Sequence, residues 1–314
     1  MSNEDKVQPD LVVGHEGDTN EVSYTKRDLL IYAVGIGCKN TPAELPFLYE
    51  DHENFVAFPT FPIVLPFKGT SHDVVPFPSP TLFSFPPGLP VMNPAMTLHA
   101  EQAIYILEPL PTSGATLTTK SKILGIYDKG KGALMREETR FTDEQGRLVA
   151  VAISGSFLRG VTGFQSKGPE LPARIIPPSR APDAVVQEMT LPEQALIYRL
   201  SGDYNSLHAD PEIAQTVGFD KPILHGLCTF GHSARAVLQC GLIPENNPAL
   251  LRSMTARFSK PAYPGETLVT SCWKIEGVGG QRIVFQTTIK ERGVVVLEGG
   301  MAEIGEAGIS FSKL

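Results

Sequence analysis

Several features that would have set the class of this chain are missing. Its 314 residues hold only four cysteines, Cys38, Cys228, Cys240 and Cys272, all far apart. They make no Cys-x-x-Cys pair and do not read as a disulfide framework, which favours a reducing compartment. Long apolar runs are also missing. The most apolar early stretch, 58–67, is broken by Pro59, Pro62 and Pro66, whereas a spanning helix needs roughly 20 apolar residues. No membrane span is expected. The N-terminus is polar and acidic and lacks the basic and apolar regions of a secretory signal. Positive charge is in deficit, with 27 Lys and Arg against 34 Asp and Glu, a formal net charge of -7. This excludes a global basic footprint, so no nucleic-acid partner is expected and an anionic ligand needs a local patch. Gly-x-Ser-x-Gly does not occur, which argues against an α/β-hydrolase elbow. Gly277-Val-Gly-Gly280 reads as a hairpin turn and not as a dinucleotide loop. Cys228 and His232 stand four apart, but zinc needs more ligands, and no metal is expected.

What is present is a folded chain, 42% hydrophobic and 19% charged, long enough for a large core and, as a soft expectation, two domains. A faint internal repeat supports the two. Tyr32-Ala-Val-Gly-Ile-Gly37, Leu98-His-Ala-Glu-Gln102 and Pro111–Leu117 precede one series of alternating strands. Tyr198-Arg-Leu-Ser-Gly-Asp203, Leu224-His-Gly-Leu227 and Tyr263–Leu268 precede another, in the same order. The expected division is 1–163, a linker over 164–182 rich in Pro, Gly and Arg, and 183–314.

In the second unit Leu227, Phe230, Ala234, Val237 and Leu238 recur at helical spacing, predicting a helix over 225–240 stopped by Gly241. The period then changes to two. Val269 to Ile275 and Ile283 to Ile289 read as strands, and 293–297 as a third. Antiparallel strands around one apolar helix describe an α+β unit. In the first unit a short helix is expected near 98–107, then strands near 116–126, 133–142 and 148–158, the last two joined by the turn Asp143–Gly146. The proline-rich segment 58–94 cannot be a regular helix and is read as an irregular cover, with a pocket-lining role open to it.

Two constellations carry chemistry. Asp203, Asn205 and His208 fall within six positions among turn formers, after a helix-like stretch over 191–200. A turn can aim all three at one point, and an Asp and a His of different basicity suit paired acid–base work; capping of a turn is the plainer reading. Nothing similar follows Gly37, as expected of a duplicated scaffold with one active copy. His225-Gly226 opens the apolar helix. The first helical N–H groups have no intrahelical partner and lie at the positive end of the helix dipole. Gly226 N–H is therefore a candidate oxyanion donor, while His225 reads equally as a buried, hydrogen-bonded histidine.

The run from Tyr198 to His208, with Ala214 six positions on, resembles the signature of type-2, (R)-specific enoyl-CoA hydratases of the MaoC-like dehydratase group. Ser206 stands where that motif usually has Pro, a change in turn stiffness that removes no reacting group. Leu98–Gln102, Asp128–Gly130, Leu224–Gly226 and Ala256–Gly265 extend the resemblance over both halves, to eukaryotic double hot-dog hydratases. The resemblance implies an α+β double hot-dog, two antiparallel sheets each wrapping a central helix, with a degenerate first copy that opens space for long acyl chains. It implies reversible hydration of trans-2-enoyl-CoA to (3R)-3-hydroxyacyl-CoA, without metal or redox cofactor. Asp203 and His208 become the catalytic pair, His208 activating water for C3 and Asp203 protonating C2. Asn205 becomes an orienting residue, and Gly226 N–H the binder of the thioester oxygen. Lys129 and Phe258, and His99 and Ala100, match positions that contact the CoA substrate. Arg257, Lys260 and Lys131 are further cations to consider for an anionic ligand.

A hot-dog acyl-CoA thioesterase and a catalytically silent acyl-CoA binder are the competing readings. The length leaves no room for a dehydrogenase or sterol-carrier domain, so a stand-alone hydratase is expected. A double hot-dog reproduces a dimer of single units within one polypeptide, and a further homodimer stays open to it. The chain ends Ser312-Lys313-Leu314, the address read by the peroxisomal import receptor, so the expected location is the peroxisome.

Overall fold

The computed structural model describes residues 6–77, 85–91, 97–277 and 280–305. Its frame is one ten-stranded antiparallel sheet. The strands are β1 (Glu16–Tyr24), β2 (Thr97–Ile106), β3 (Ala115–Asp128), β4 (Gly132–Thr142), β5 (Leu148–Arg159), β6 (Ala184–Met189), β7 (Leu251–Phe258), β8 (Thr267–Gly277), β9 (Gly280–Ile289) and β10 (Val294–Ile304). Their order across the sheet is β1-β3-β4-β5-β2-β7-β10-β9-β8-β6. Read inward from each edge, the two halves have the same connectivity, β1-β3-β4-β5-β2 and β6-β8-β9-β10-β7. This is the double hot-dog, with its two five-stranded halves joined edge to edge. The seam is the β2–β7 pair, with Glu101 opposite Arg257 and Ala103 opposite Thr255.

Local pattern accounts for most of these elements. The alternating runs of β3, β4, β5, β8 and β9 place one face on the core and one outward, as a half-buried strand requires. The Gly226–Gln239 helix is different. Every residue from Leu227 to Leu238 is buried, so its polar members need partners. Ser233 Oγ lies 2.7 Å from Thr287 Oγ1, and the Arg235 guanidinium pairs with Glu44 and Glu188. Gly231 allows the closest approach, since a β-carbon there would strike Ile36. Leu29, Tyr32 and Phe61 of the first half share one apolar cluster with Phe230, Phe285 and Leu297 of the second. Burial of each such large side chain stabilises by about 1.5–3 kcal/mol.

The first half departs from expectation in one element. Residues 98–107, expected as a short helix, form strand β2. The segment is paired on both sides, with β5 and with β7, and that long-range pairing overrides a short, mixed pattern. The match of Leu98–Gln102 with Leu224–Leu227 therefore fails as well. In connectivity the counterpart of β2 is β7, so His99 is a strand residue while His225 caps a helix. Ala100 sits where the β2–β5 register shifts, between His99 and Glu101, and is not the remnant of a helix start. The other two matches hold in place: Tyr32 and Tyr198 both lie in helical segments following an edge strand, with ring centroids 6.1 Å apart, and Pro111–Leu117 and Tyr263–Leu268 run into the counterpart strands β3 and β8.

The first half has no described helix comparable to Gly226–Gln239. The segment opening at Phe58 instead makes two four-residue turns, Phe61–Val64 and Leu65–Lys68. Each starts with Pro at a position that tolerates it. Part of that proline-rich cover (78–84 and 92–96), the tip of the Gly277–Gly280 turn (278–279) and the tail 306–314 lie outside the described residues.

Candidate active site

No long helix covers the first half of the sheet among the described residues, and its interior is open. A cavity of about 540 Å³ runs from the N-terminus of the Gly226–Gln239 helix to the inner face of β4 and β5. Asp203, Asn205, His208, Gly226, His99 and Phe258 all line it.

The turn that carries the polar set is built by its own side chains. Asn205 Oδ1 accepts from Leu207 N–H at 3.0 Å, capping the single 3-10 turn Ser206–His208. This holds the turn in shape with Ser206 in place of proline. Asn205 N–H donates to Asp203 Oδ1 at 3.2 Å. Asp210 caps the next helix, Pro211–Thr216, through Glu212 N–H. Asp203 and His208 are thus fixed at both ends of a short, self-capped loop.

Hydrogen bonds also settle the histidine tautomers. His208 Nδ1 lies 2.8 Å from the Ile223 carbonyl oxygen. A carbonyl only accepts, so Nδ1 carries the proton and Nε2 keeps its lone pair. His225 Nε2 lies 3.1 Å from the Asp203 carbonyl oxygen. It must therefore donate, and His225 Nδ1 is left as a buried acceptor without a partner among the described residues. The two imidazoles stack, with centroids 3.6 Å apart and planes at 26°. One donor atom from each of Asp203, His208 and His225 lies within 4.8 Å of the others.

Burial sets the charge states. It pushes the Asp203 carboxyl above its ordinary value, with His208 and the Asn205 N–H opposing. It pushes His208 below its ordinary value against the pull of Asp203. His225 is driven well down, by burial first and by His208 second. The pair is therefore held toward a neutral acid and a neutral base, two titratable groups with pKa values moved toward one another. The same spacing, with one ligand atom from each of three residues, would also suit a cation. An acid and a base at this distance are also placed for proton transfer.

Gly226 opens its helix, and its N–H makes no hydrogen bond among the described residues. A β-carbon at this position would come 3.1 Å from the Phe258 ring, so glycine is what lets that ring close over the helix start. Phe258 in turn packs edge-on against His99, with centroids 4.9 Å apart. His99 is pushed down to about 4, mainly by burial, and its Nε2 has no partner among the described residues.

The remaining expected residues fall elsewhere. Ala100, Lys129 and Arg257 do not line the cavity. Lys129 is exposed in the β3–β4 turn, with its ammonium 5.7 Å from the centre of the Tyr127 ring. Arg257 Nε stands 3.5 Å from Glu101 Oε2. Two exposed cations do line it, Lys260 and Arg159, one from each half. Arg159 ends β5 and carries no motif, so no sequence signal pointed to it. The stacking of His225 on His208 was equally out of reach, because those residues stand 17 positions apart.

A cavity at a helix start, lined by a carboxyl, two stacked imidazoles and an unpaired backbone N–H, set in a double hot-dog, defines the class: a hot-dog protein with a polar, buried pocket. Comparison with known proteins makes it narrower. Residues 22–160 match the MFE-2 hydratase 2 N-terminal domain, and residues 175–298 match the MaoC-like domain. The chain is 38% identical over 312 residues to the peroxisomal enoyl-CoA hydratase 2 of Arabidopsis thaliana, covering 92% of this chain and 93% of that one. It is 39% identical over 298 residues to the peroxisomal hydratase-dehydrogenase-epimerase of Neurospora crassa, covering 93% of this chain but spanning only 31% of that protein. A MaoC-like dehydratase from Phytophthora capsici superposes with a TM-score of 0.89 at 50% identity, over 96% of this chain and 98% of the other. The chain belongs to the MaoC-like dehydratases, in the hydratase 2 group.

Proposed function

We propose that this chain catalyses the reversible addition of water to trans-2-enoyl-CoA, giving (3R)-3-hydroxyacyl-CoA, in fatty-acid β-oxidation. The observation that carries this reading is the Asp203–His208 pair, brought together in the cavity that the unpaired Gly226 N–H also lines. His208 Nε2, the free lone pair, takes a proton from water as its oxygen attacks C3. The C2=C3 electrons move toward the thioester oxygen, where Gly226 N–H receives the growing negative charge. Loss of one such donor typically costs about 2.7–4 kcal/mol. Asp203 then delivers its proton to C2. The imidazolium and carboxylate left behind return to their starting states by passing the proton from His208 to Asp203. Asn205 holds Asp203 in place through its backbone N–H. Water and the C2 proton arrive on one face of the alkene, and the resemblance to the (R)-specific hydratases implies the face that gives the 3R product.

The first unit, 1–163, serves acyl-CoA binding, and 183–314 carries catalysis, with 164–182 between them. His99 and Phe258 contact the substrate inside the cavity. Lys260 and Arg159 meet the anionic coenzyme at its mouth, and Ala100, Lys129 and Arg257 act only on the part that projects beyond it. The names of the relatives and the Ser312-Lys313-Leu314 ending support import into the peroxisome through the receptor that reads that tripeptide.

Incubation with crotonyl-CoA tests the activity. Hydration removes the enoyl absorbance without releasing a thiol. Thiol release would indicate a thioesterase, and binding without either change a silent acyl-CoA binder.

A further inference from the structure

The inner face of the sheet differs between its halves. In the second half the row Met254–Ala302–Ile283, across β7, β10 and β9, is apolar and fully buried. That face packs against the Gly226–Gln239 helix, and polar side chains there would be left unpaired. In the first half, the row across β2, β5 and β4 is Gln102–Ser154–Glu137. Thr139 follows Glu137 on the same face of β4 and stands opposite Ser121 of β3. Gln102, Glu137, Thr139 and Ser154 all line the cavity. Gln102 Nε2 donates to the Ala103 carbonyl at 2.8 Å, and burial pushes the Glu137 carboxyl above its ordinary value with Ser121 opposing. The Thr139 and Ser154 hydroxyls have no side-chain partner among the described residues. Phe141 and Ala152, further along the same strands, supply apolar wall beside them.

This lobe continues the cavity beyond the reacting groups. Ser156 stands opposite His99, and Ser154 lies two residues further along β5, a step of about 7 Å on the same face. A plain alkyl chain lying here would cover Ser154, Thr139 and Glu137 without replacing their hydrogen bonds to water, which disfavours it. A hydroxyl can donate to one of these groups and accept from another.

We propose that the first-half lobe of the cavity is a subsite for an uncharged hydroxyl group carried on the acyl chain, several carbons from the thioester, so that hydroxylated enoyl-CoA esters are preferred over plain alkyl ones. The proposal rests on the hydratase reading for its substrate class, and the subsite itself can be measured without catalysis.

The test compares ω-hydroxylated and plain trans-2-enoyl-CoA esters from hexenoyl to dodecenoyl. At one chain length the hydroxylated ester should be favoured in kcat/KM by about tenfold or more, ~1.4 kcal/mol, the size of one net buried hydrogen bond. In Glu137→Leu and Ser154→Val that preference should fall to about unity, while crotonyl-CoA, too short to reach the lobe, is hydrated within about twofold of the parent rate. Calorimetric binding of the saturated, unreactive esters, plain and ω-hydroxylated, to the parent protein should show the same order. Equal or weaker use of the hydroxylated ester at every length, or a preference unchanged in both folded variants, would overturn the subsite. Failure to hydrate crotonyl-CoA at all would sink the hydratase reading instead, and calorimetry would still decide the subsite.

Discussion

Replacement of Asp203 by Asn separates chemistry from scaffold. The amide has the size of the carboxyl, and its oxygen can still accept from Asn205 N–H at the 3.2 Å now seen. The loop cap through Asn205 Oδ1 is untouched. What disappears is the proton for C2 and the charge that His208 meets after it takes up a proton. A positioned acid or base contributes about 10²–10⁴-fold, so hydration of crotonyl-CoA should fall by at least about 100-fold, or ~2.7 kcal/mol at 1.36 per decade. Stability should move the other way. Burial raises the folded-state pKa of Asp203, so its carboxylate costs stability above that pKa, and the cost vanishes as pH falls below the unfolded value. The variant should therefore melt at or above the parent temperature near pH 7.5, with the difference closing toward pH 4. The assays are loss of enoyl absorbance, a thermal melt at both pH values, and binding of unreactive butyryl-CoA, which should be retained within about threefold because Asp203 contributes to the reaction more than to ground-state binding. Turnover near the parent level in this folded variant would refute the assignment.

His208→Gln should lose at least about 100-fold in turnover as well, with binding of butyryl-CoA retained. Gly226→Ala should lower kcat by about tenfold or more, because the added carbon meets the Phe258 ring at 3.1 Å and displaces the N–H from the thioester oxygen; unchanged kcat would remove Gly226 from the mechanism. His99, His208 and His225 all have folded-state pKa values below their ordinary one, so stability present above about pH 6.5 should be lost as pH falls toward the folded values. His99 alone, at about 4, accounts for at most about 3 kcal/mol of that loss, and a pH series of denaturant melts measures it. An N-terminal fluorescent fusion should be punctate with a peroxisomal marker and become cytosolic when Ser312 to Leu314 are removed; a diffuse intact fusion would defeat the localisation alone.

Whatever depends on neighbours along the chain was legible from the residues alone. Alternation over 116–126 and 133–142 is enough to specify a half-buried strand, and the apolar spacing from Leu227 to Leu238 is enough to specify a helix. The polar turn proposed to carry the chemistry was legible for the same reason. Asp203, Asn205 and His208 lie within six residues, and Asn205 caps the turn that aims them. Tertiary structure decided what depends on distant partners. Residues 98–107 became a strand because β5 and β7 flank them, a pairing no local window contains. His225 acquired its tautomer from the Asp203 carbonyl and its stacking partner from His208. The row Gln102–Ser154–Glu137 draws on three strands whose residues are scattered through the first half. Whether its polarity faces solvent, protein or a ligand was set by what packs over that half of the sheet, where the described residues place a cavity. A cavity exists only where segments far apart in sequence fail to fill the space between them, so its lining is a property of packing and not of any one segment.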